Sequence, residues 1–276
     1  MEYRVLGKTG LNVSPIGFGC GDVGGLIVRG DTALRNRAVA LAISEGINYF
    51  DTAPLYGQGV SETHLGLALK ECKADVFVGT KVGLTPEDKK DIKKGIIQSM
   101  ERSLKRLDMD SVDLIQLHNR LTPNSETEHG RPDVSAKEVL EKVVAGFHEL
   151  RAQGKVRFFG ITGLGETETL RAILDSESMD TVQACYNLLN PSGGVSGTPK
   201  FYTQDYGQLI DRAASKGAGI IVIRVMAAGA LTGVSERHPL ALPRVTPIGS
   251  SAEYEEDVRR ANSFQYLVEE GVVDSL

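Results

Sequence analysis

Four proton-active side chains stand at or just past the ends of three apolar runs. Asp51 closes Asn48-Tyr49-Phe50, and Tyr56 follows it five residues on, in Thr52-Ala53-Pro54-Leu55-Tyr56-Gly57. Lys81 closes Val76-Phe77-Val78-Gly79-Thr80, and His118 closes Val112-Asp113-Leu114-Ile115-Gln116-Leu117. If these runs are successive parallel strands, their C-terminal ends converge on one mouth. That is the face on which parallel α/β barrels carry out their chemistry.

A phenol is a weak acid, with an ordinary pKa of about 10. A neighbouring ammonium stabilises the phenolate and lowers that value. Lys81 can supply the ammonium, and Asp51 can keep Lys81 charged inside a cleft. Tyr56 then becomes a general acid–base, protonating a carbonyl oxygen in one direction and deprotonating an alcohol in the other. His118 can orient the same oxygen or relay a proton. None of the four carries hydride, so the set implies a hydride-carrying cofactor. Each residue alone has a plainer explanation. A strand-end Asp caps a helix, a Tyr packs half-buried with its hydroxyl satisfied, a Lys is a solvated surface group, and a His is a satisfied polar residue. The argument lies in all four sharing one end of a sheet.

The elements that would position them alternate along the chain. Tyr3 to Val13 reads as a β-hairpin turning at Thr9-Gly10. Strands are predicted over Pro15–Cys20, Asn48–Asp51, Val76–Val82, Val112–His118, Val156–Thr162, Thr181–Tyr186 and Gly219–Val225. Helices are predicted over Thr32–Glu45, Ser61–Lys70 with Ser61 as cap, Ile92–Leu107, Ser135–Gln153, Thr167–Ser176, Asp205–Lys216 and Ser251–Val268. Uninterrupted alternation gives a parallel sheet with right-handed crossovers, and continuous apolar strands have both faces covered. The fold class is α/β, a single (β/α)8 TIM barrel domain over residues 1–276 with an N-terminal β-hairpin. Seven parallel strands are counted where a closed barrel has eight. An open sheet would leave two long unpaired edges, so the expectation is a barrel whose C-terminal strand and helix are missing from this sequence. Two long loops, Arg120–Val134 and Asn187–Tyr202, follow strand ends and would overhang the mouth. The first holds Glu126, Glu128, His129 and Arg131, polar enough for a hydroxylated substrate, or simply solvated.

The 276 residues are 41% hydrophobic and 24% charged with a net charge of -5, which gives no reason to expect nucleic acid or an anionic membrane as partner. No apolar run approaches the ~18 residues of a membrane span, and Met1-Glu2-Tyr3-Arg4 lacks a signal core. Cys20, Cys72 and Cys185 are far apart with no CxxC pair, which suits reduced thiols in a cytoplasmic protein. His64, His129, His148 and His238 have no partners at ligand spacing, so no metal is expected. Gly160-Ile161-Thr162-Gly163-Leu164-Gly165 does not have the spacing of the dinucleotide fingerprint.

The motifs resemble the aldo-keto reductase family. Tyr3-Arg4-Val5-Leu6-Gly7-Lys8-Thr9-Gly10-Leu11-Asn12-Val13-Ser14 resembles its hairpin, which plugs the barrel bottom. Asn48-Tyr49-Phe50-Asp51-Thr52-Ala53 with Tyr56-Gly57, Ser61-Glu62 and Leu65-Gly66 resembles its first signature. Ser103-Leu104-Lys105-Arg106-Leu107 with Asp113-Leu114 and Leu117-His118 resembles its second. The resemblance implies reduction of aldehydes or ketones with an extended nicotinamide dinucleotide, NADP by family habit and NAD as the other candidate. It implies Tyr56 as acid–base, Lys81 and Asp51 as its tuning pair and His118 as substrate orienter. For the cofactor, Thr162-Gly163 stands where the family places Ser-Asn on the carboxamide, Gln183 fits the third contact, and Arg224 stands where an aromatic ring commonly stacks. Ala228-Gly229-Ala230-Leu231-Thr232-Gly233 resembles the loop that crosses the pyrophosphate, with Ala228, Gly229 and Leu231 in contact. Asn119 is expected at the substrate pocket. Asp22 either lines that pocket or braces a turn. The substrate would be a small-molecule carbonyl compound or sugar. The alternative is a non-catalytic cofactor-binding regulatory subunit, since the family includes members resembling channel-associated subunits. Oligomeric state is not legible.

Overall fold

Two sheets organise the computed structural model, which describes residues 1–124, 131–197, 202–234 and 236–274. β1 (Arg4–Val5) and β2 (Asn12–Val13) pair antiparallel, joined through a tight turn at Gly7–Thr9. Gly7 adopts φ 50, and a Cβ there would stand 2.3 Å from the Gly219 nitrogen, so the turn lies hard against the last strand. The Lys8 amide donates to Gly217 O at 2.7 Å. Leu6, Leu11 and Val13 bury themselves with Tyr49 and Leu114, which covers the N-terminal end of the main sheet with apolar surface.

The main sheet holds β3 (Phe18–Gly19), β4 (Tyr49–Asp51), β5 (Phe77–Val82), β6 (Val112–Leu117), β7 (Val156–Thr162), β8 (Thr181–Cys185) and β9 (Gly219–Ile223). They are all parallel and lie in chain order, each next to its predecessor. That order follows from one helical crossover per strand, always of the same hand. The expected strands are therefore present, several trimmed by one to three residues at an end.

The helices cover the outer face with the stripes the sequence predicts. Ile92–Leu107 buries Ile92, Ile96, Met100, Leu104 and Leu107, and Asp91 caps it by accepting from the Lys94 amide at 3.1 Å. Thr32–Ser44 is capped likewise by Asp31. Three expectations are corrected. The second long helix runs Val60–Cys72 and starts from Gly59 at φ 94, so Ser61 is not its cap. The Ser61 hydroxyl instead donates to Cys20 O at 2.8 Å and meets Thr52 Oγ1 at 2.9 Å, tying two strand ends together. The helical stretch from Ala136 to Ala152 contains a wide π turn over Val139–Val143. Ser251–Val268 is two helices, Tyr254–Asn262 and Tyr266–Glu269; the Ser263 hydroxyl bonds back to Arg260 O at 2.6 Å, a contact that competes with helix continuation.

Among the described residues no bridge joins β9 back to β3. A cavity of about 1160 Å³ runs between these edges, lined by Pro15 to Gly19 on one side and Ile220 to Val225 on the other. At its upper end it reaches Asp51, Tyr56, Gln183 and Arg224.

Candidate active site

Side chains alternate across a strand, so Tyr49 and Asp51 of β4 project to the same, inner side. The Tyr49 hydroxyl donates to Asp51 Oδ1 at 3.5 Å. Lys81, on β5, is 1% exposed. Its Nζ donates to Asp51 Oδ2 at 2.5 Å, to Thr52 O at 2.9 Å and to the Tyr56 hydroxyl at 3.1 Å, which uses all three ammonium protons. Tyr56 stands on the loop after β4, where Gly57 and Gln58 both adopt left-handed backbone, φ 59 and φ 55. A Cβ at Gly57 would also meet Val28 Cγ1 at 2.6 Å. His118 follows β6, its amide donating to Val82 O at 2.8 Å. Its ring meets the Tyr56 ring edge-on, 6.0 Å between centroids, and its buried Nδ1 has no hydrogen-bond partner.

Burial disfavours charge on Lys81, but Asp51 and Tyr56 outweigh it and raise its pKa above the ordinary lysine value. Burial, reinforced by the charges of Lys81 and Arg131, holds His118 well below the usual imidazole value, so it is neutral at neutral pH. Tyr56 departs from expectation. Burial raises its pKa more than Lys81 lowers it, and the Asp51 carboxylate raises it further. The phenol is protonated at neutral pH, chiefly because it is buried, with the Asp51 carboxylate opposing the field of the lysine.

Gln183 of β8 donates from Nε2 to Asp51 Oδ1 at 2.9 Å. Thr162 is buried at the end of β7, its hydroxyl donating to Leu117 O at 3.1 Å. The Gly163 amide donates to Gln183 O at 2.7 Å, and a Cβ at Gly163 would stand 2.4 Å from that oxygen, so the position excludes any side chain. Arg224 follows β9 at φ 59, its guanidinium reaching toward Thr246 O at 3.4 Å. Beyond it, Ala228, Gly229 and Leu231 lie in tight turns over Ala227–Thr232. Arg224, Ala227 and Ala228 are all left-handed without being glycine, a strain that concentrates at binding sites. A second cavity of about 660 Å³ is lined by Val23, Gly24, Ala228, Gly229, Arg237 and Tyr254 among others. It shares Val23 and Gly24 with the larger one, so the two adjoin as one trough from Tyr56 to the Ala228 loop.

A family model described as the aldo/keto reductase family matches residues 15–266. The chain belongs to this family. It is 33% identical over 246 residues to an L-galactose dehydrogenase of Arabidopsis thaliana, across 87% of this chain and 70% of that protein. It is 27% identical to a probable voltage-gated potassium channel subunit beta of the same plant, across 84% of this chain and 66% of that protein. An aldo-keto reductase of Bacillus halodurans, solved in its holo form, superimposes with a TM-score of 0.68 at 25% identity, covering 95% of this chain and 77% of that one. The chain thus shares the α/β barrel fold of a family of oxidoreductases.

Asp22 and Asn119 both hold neighbouring backbone. Asp22 Oδ2 accepts from the Gly57 amide at 2.9 Å and Oδ1 from Arg29 Nη1 at 3.3 Å, bracing the turn that carries Tyr56. Asn119, expected in the substrate pocket, is buried. Its Oδ1 accepts from the Leu84 amide at 2.7 Å, and its Nδ2 donates to Leu84 O at 3.0 Å and Pro132 O at 2.8 Å. It fastens two loops of the reductase because every strong contact its amide makes is to backbone. Glu126, Glu128 and His129 lie outside the described residues.

Sequence reasoning missed several contributors to this site. Tyr49 was two residues before Asp51 and so on its face, a signal available from strand period alone. Glu62 is buried, taking the Thr80 hydroxyl at 2.6 Å and Arg106 Nε at 2.6 Å, and so joins the two signature segments of the reductase behind Lys81. That contact spans 44 residues and has no local signature. Among the described residues no cluster of His, Cys, Asp or Glu could hold a metal ion, and no helix is long and apolar enough to cross a membrane.

Proposed function

We propose that this aldo/keto reductase interconverts small aldehydes or ketones, sugars among them, with the corresponding alcohols, using NADPH, with NADH as the other candidate. The observation that carries the reading is the Lys81 ammonium, shared between Asp51 at 2.5 Å and the Tyr56 hydroxyl at 3.1 Å beside an open trough. When bound, the dinucleotide supplies or receives hydride. In reduction Tyr56 donates its hydroxyl proton to the carbonyl oxygen, and the phenolate left behind is held by Lys81. Neutral His118 donates an N–H to the same oxygen and orients it. In oxidation the same proton returns to Tyr56. Asp51 keeps Lys81 charged through both half-reactions.

Gln183 and Arg224 would flank the nicotinamide, Thr162 and Gly163 would form the wall beneath it, and Ala228, Gly229 and Leu231 would lie along the pyrophosphate. The cytoplasm is the proposed location, a compartment suited to the free thiols of Cys20, Cys72 and Cys185. In the test, Tyr56→Phe loses about 10²- to 10⁴-fold in turnover, followed by cofactor absorbance, while cofactor affinity by fluorescence titration changes little. Turnover equal to that of the unaltered chain refutes the assignment.

The similarity to a channel subunit favours a second reading, a cofactor-binding regulatory subunit without turnover. Tight cofactor binding with no reduction across a broad aldehyde and sugar panel would support it.

A further inference from the structure

Arg131 is an exposed guanidinium beside the mouth, without an acidic partner among the described residues. The segment that carries it is fixed: Asn119 Nδ2 donates to Pro132 O at 2.8 Å, and the Val134 amide donates to Arg120 O at 2.9 Å. Nη1 of Arg131 lies over Gly83, 3.1 Å from where a Cβ would stand, and Leu55 Cδ1 approaches the same point at 3.6 Å. Gly83 follows Val82, whose carbonyl holds the His118 amide, and Leu55 precedes Tyr56. The guanidinium therefore sits beside Gly83 and Leu55, next to the segments that carry His118 and Tyr56. Its charge is felt there, since Arg131 with Lys81 helps to keep His118 neutral.

Among the described residues the carboxylates around the mouth are engaged elsewhere. Asp51 takes Lys81 and Gln183, Asp22 takes Gly57 and Arg29, and Asp133 accepts the Thr122 hydroxyl at 3.3 Å. Arg131 itself has no hydrogen bond or ion pair among the described residues. Arg131 is exposed, so its donors are open to a ligand. Its planar fork of donors matches a carboxylate in two-point contact.

We propose that Arg131 anchors the substrate, and that the preferred substrates are carbonyl compounds bearing a carboxylate away from the reacting carbon. The inference rests on the reading of Tyr56 as proton donor to the carbonyl oxygen. The carboxylate is not consumed; only the carbonyl is converted to an alcohol.

Two probes of similar size separate charge from shape: succinic semialdehyde, which carries a carboxylate, and butanal, which does not. The ratio of their kcat/KM values should exceed about tenfold for the unaltered chain. It should fall about 10- to 100-fold in Arg131→Gln, chiefly through KM, and recover in part in Arg131→Lys. Succinate alone, titrated calorimetrically, should bind the unaltered chain and not Arg131→Gln. A ratio near one, a ratio unmoved by Arg131→Gln, or no succinate binding overturns the proposal. Reduction of butanal with no preference for the charged probe leaves the reductase reading standing and removes this one. Succinate binding through Arg131 with neither aldehyde reduced removes the reductase reading and keeps the anion anchor.

Discussion

Gln183 donates to Asp51 across the sheet at 2.9 Å, from a strand 132 residues further along the chain. Asp51 is thereby divided, one oxygen toward Lys81 and the other toward Gln183 and Tyr49. Its charge is distributed over three donors from three strands. The acidity of Tyr56 therefore depends on a residue that does not touch it.

Replacing that donor by an acceptor tests the relationship. Gln183→Glu sets a second carboxylate against Asp51, and like charges at this distance cannot both ionise cheaply. The variant should bind a proton in the folded state that the unfolded chain has already released. Its melting temperature, relative to the unaltered chain, should fall as pH rises from about 5 to about 8. Gln183→Leu removes only a hydrogen bond to a charged group, about 1–2 kcal/mol, with no added pH dependence.

Lys81→Met leaves Asp51 without its ammonium and should cost about 3 kcal/mol in chemical denaturation. The double variant with Asp51→Asn should recover part of that loss, because no buried charge is then stranded. A double-mutant cycle with no coupling between the two positions would contradict the 2.5 Å contact.

The raised pKa of Tyr56, set first by burial, fixes the direction of the pH profiles. Reduction needs the protonated phenol, so kcat should stay level through neutral pH and fall only as pH passes above the ordinary tyrosine value of about 10. Oxidation needs the phenolate and should climb over the same interval. An inflection in reduction near neutrality, persisting in His118→Gln, would contradict a protonated Tyr56.

His118 has the opposite consequence for stability. Its folded pKa is depressed by burial and by neighbouring cations, so the unfolded chain takes up the proton first. The contribution of the neutral ring is present above about pH 6.5 and is lost as pH falls below it. Comparing acid melts of the unaltered chain with His118→Gln isolates this effect, and the variant should show the shallower dependence.

Much of this architecture was readable from residue order. Alternating apolar runs and amphipathic stretches gave the parallel strands and their order, because each crossover returns a strand beside the last. The set Asp51, Tyr56, Lys81 and His118 was readable because strand ends are easy to locate. What strand ends could not convey was the balance of fields at Tyr56, where burial and Asp51 outweigh the lysine. Nor did residue type reveal that Asn119 holds loops, or choose for Asp22 between lining the pocket and bracing a turn. An Asn or Asp beside a cleft looks alike whether its polar atoms face backbone or solvent, and only three-dimensional neighbours distinguish the two. Ser61 resembled a cap for the same reason, since a serine at a helix start is judged by sequence alone until its hydroxyl is seen on Cys20.

The hairpin turn seals the floor of the molecule by pressing Gly7 onto Gly219 and bonding Lys8 to Gly217. Higher up, β3 and β9 share no rung. The hairpin turn therefore restrains the lower end of this edge more than the upper one. Backbone amides near Gly219 would exchange with deuterium slowly, and those approaching Ile223 progressively faster.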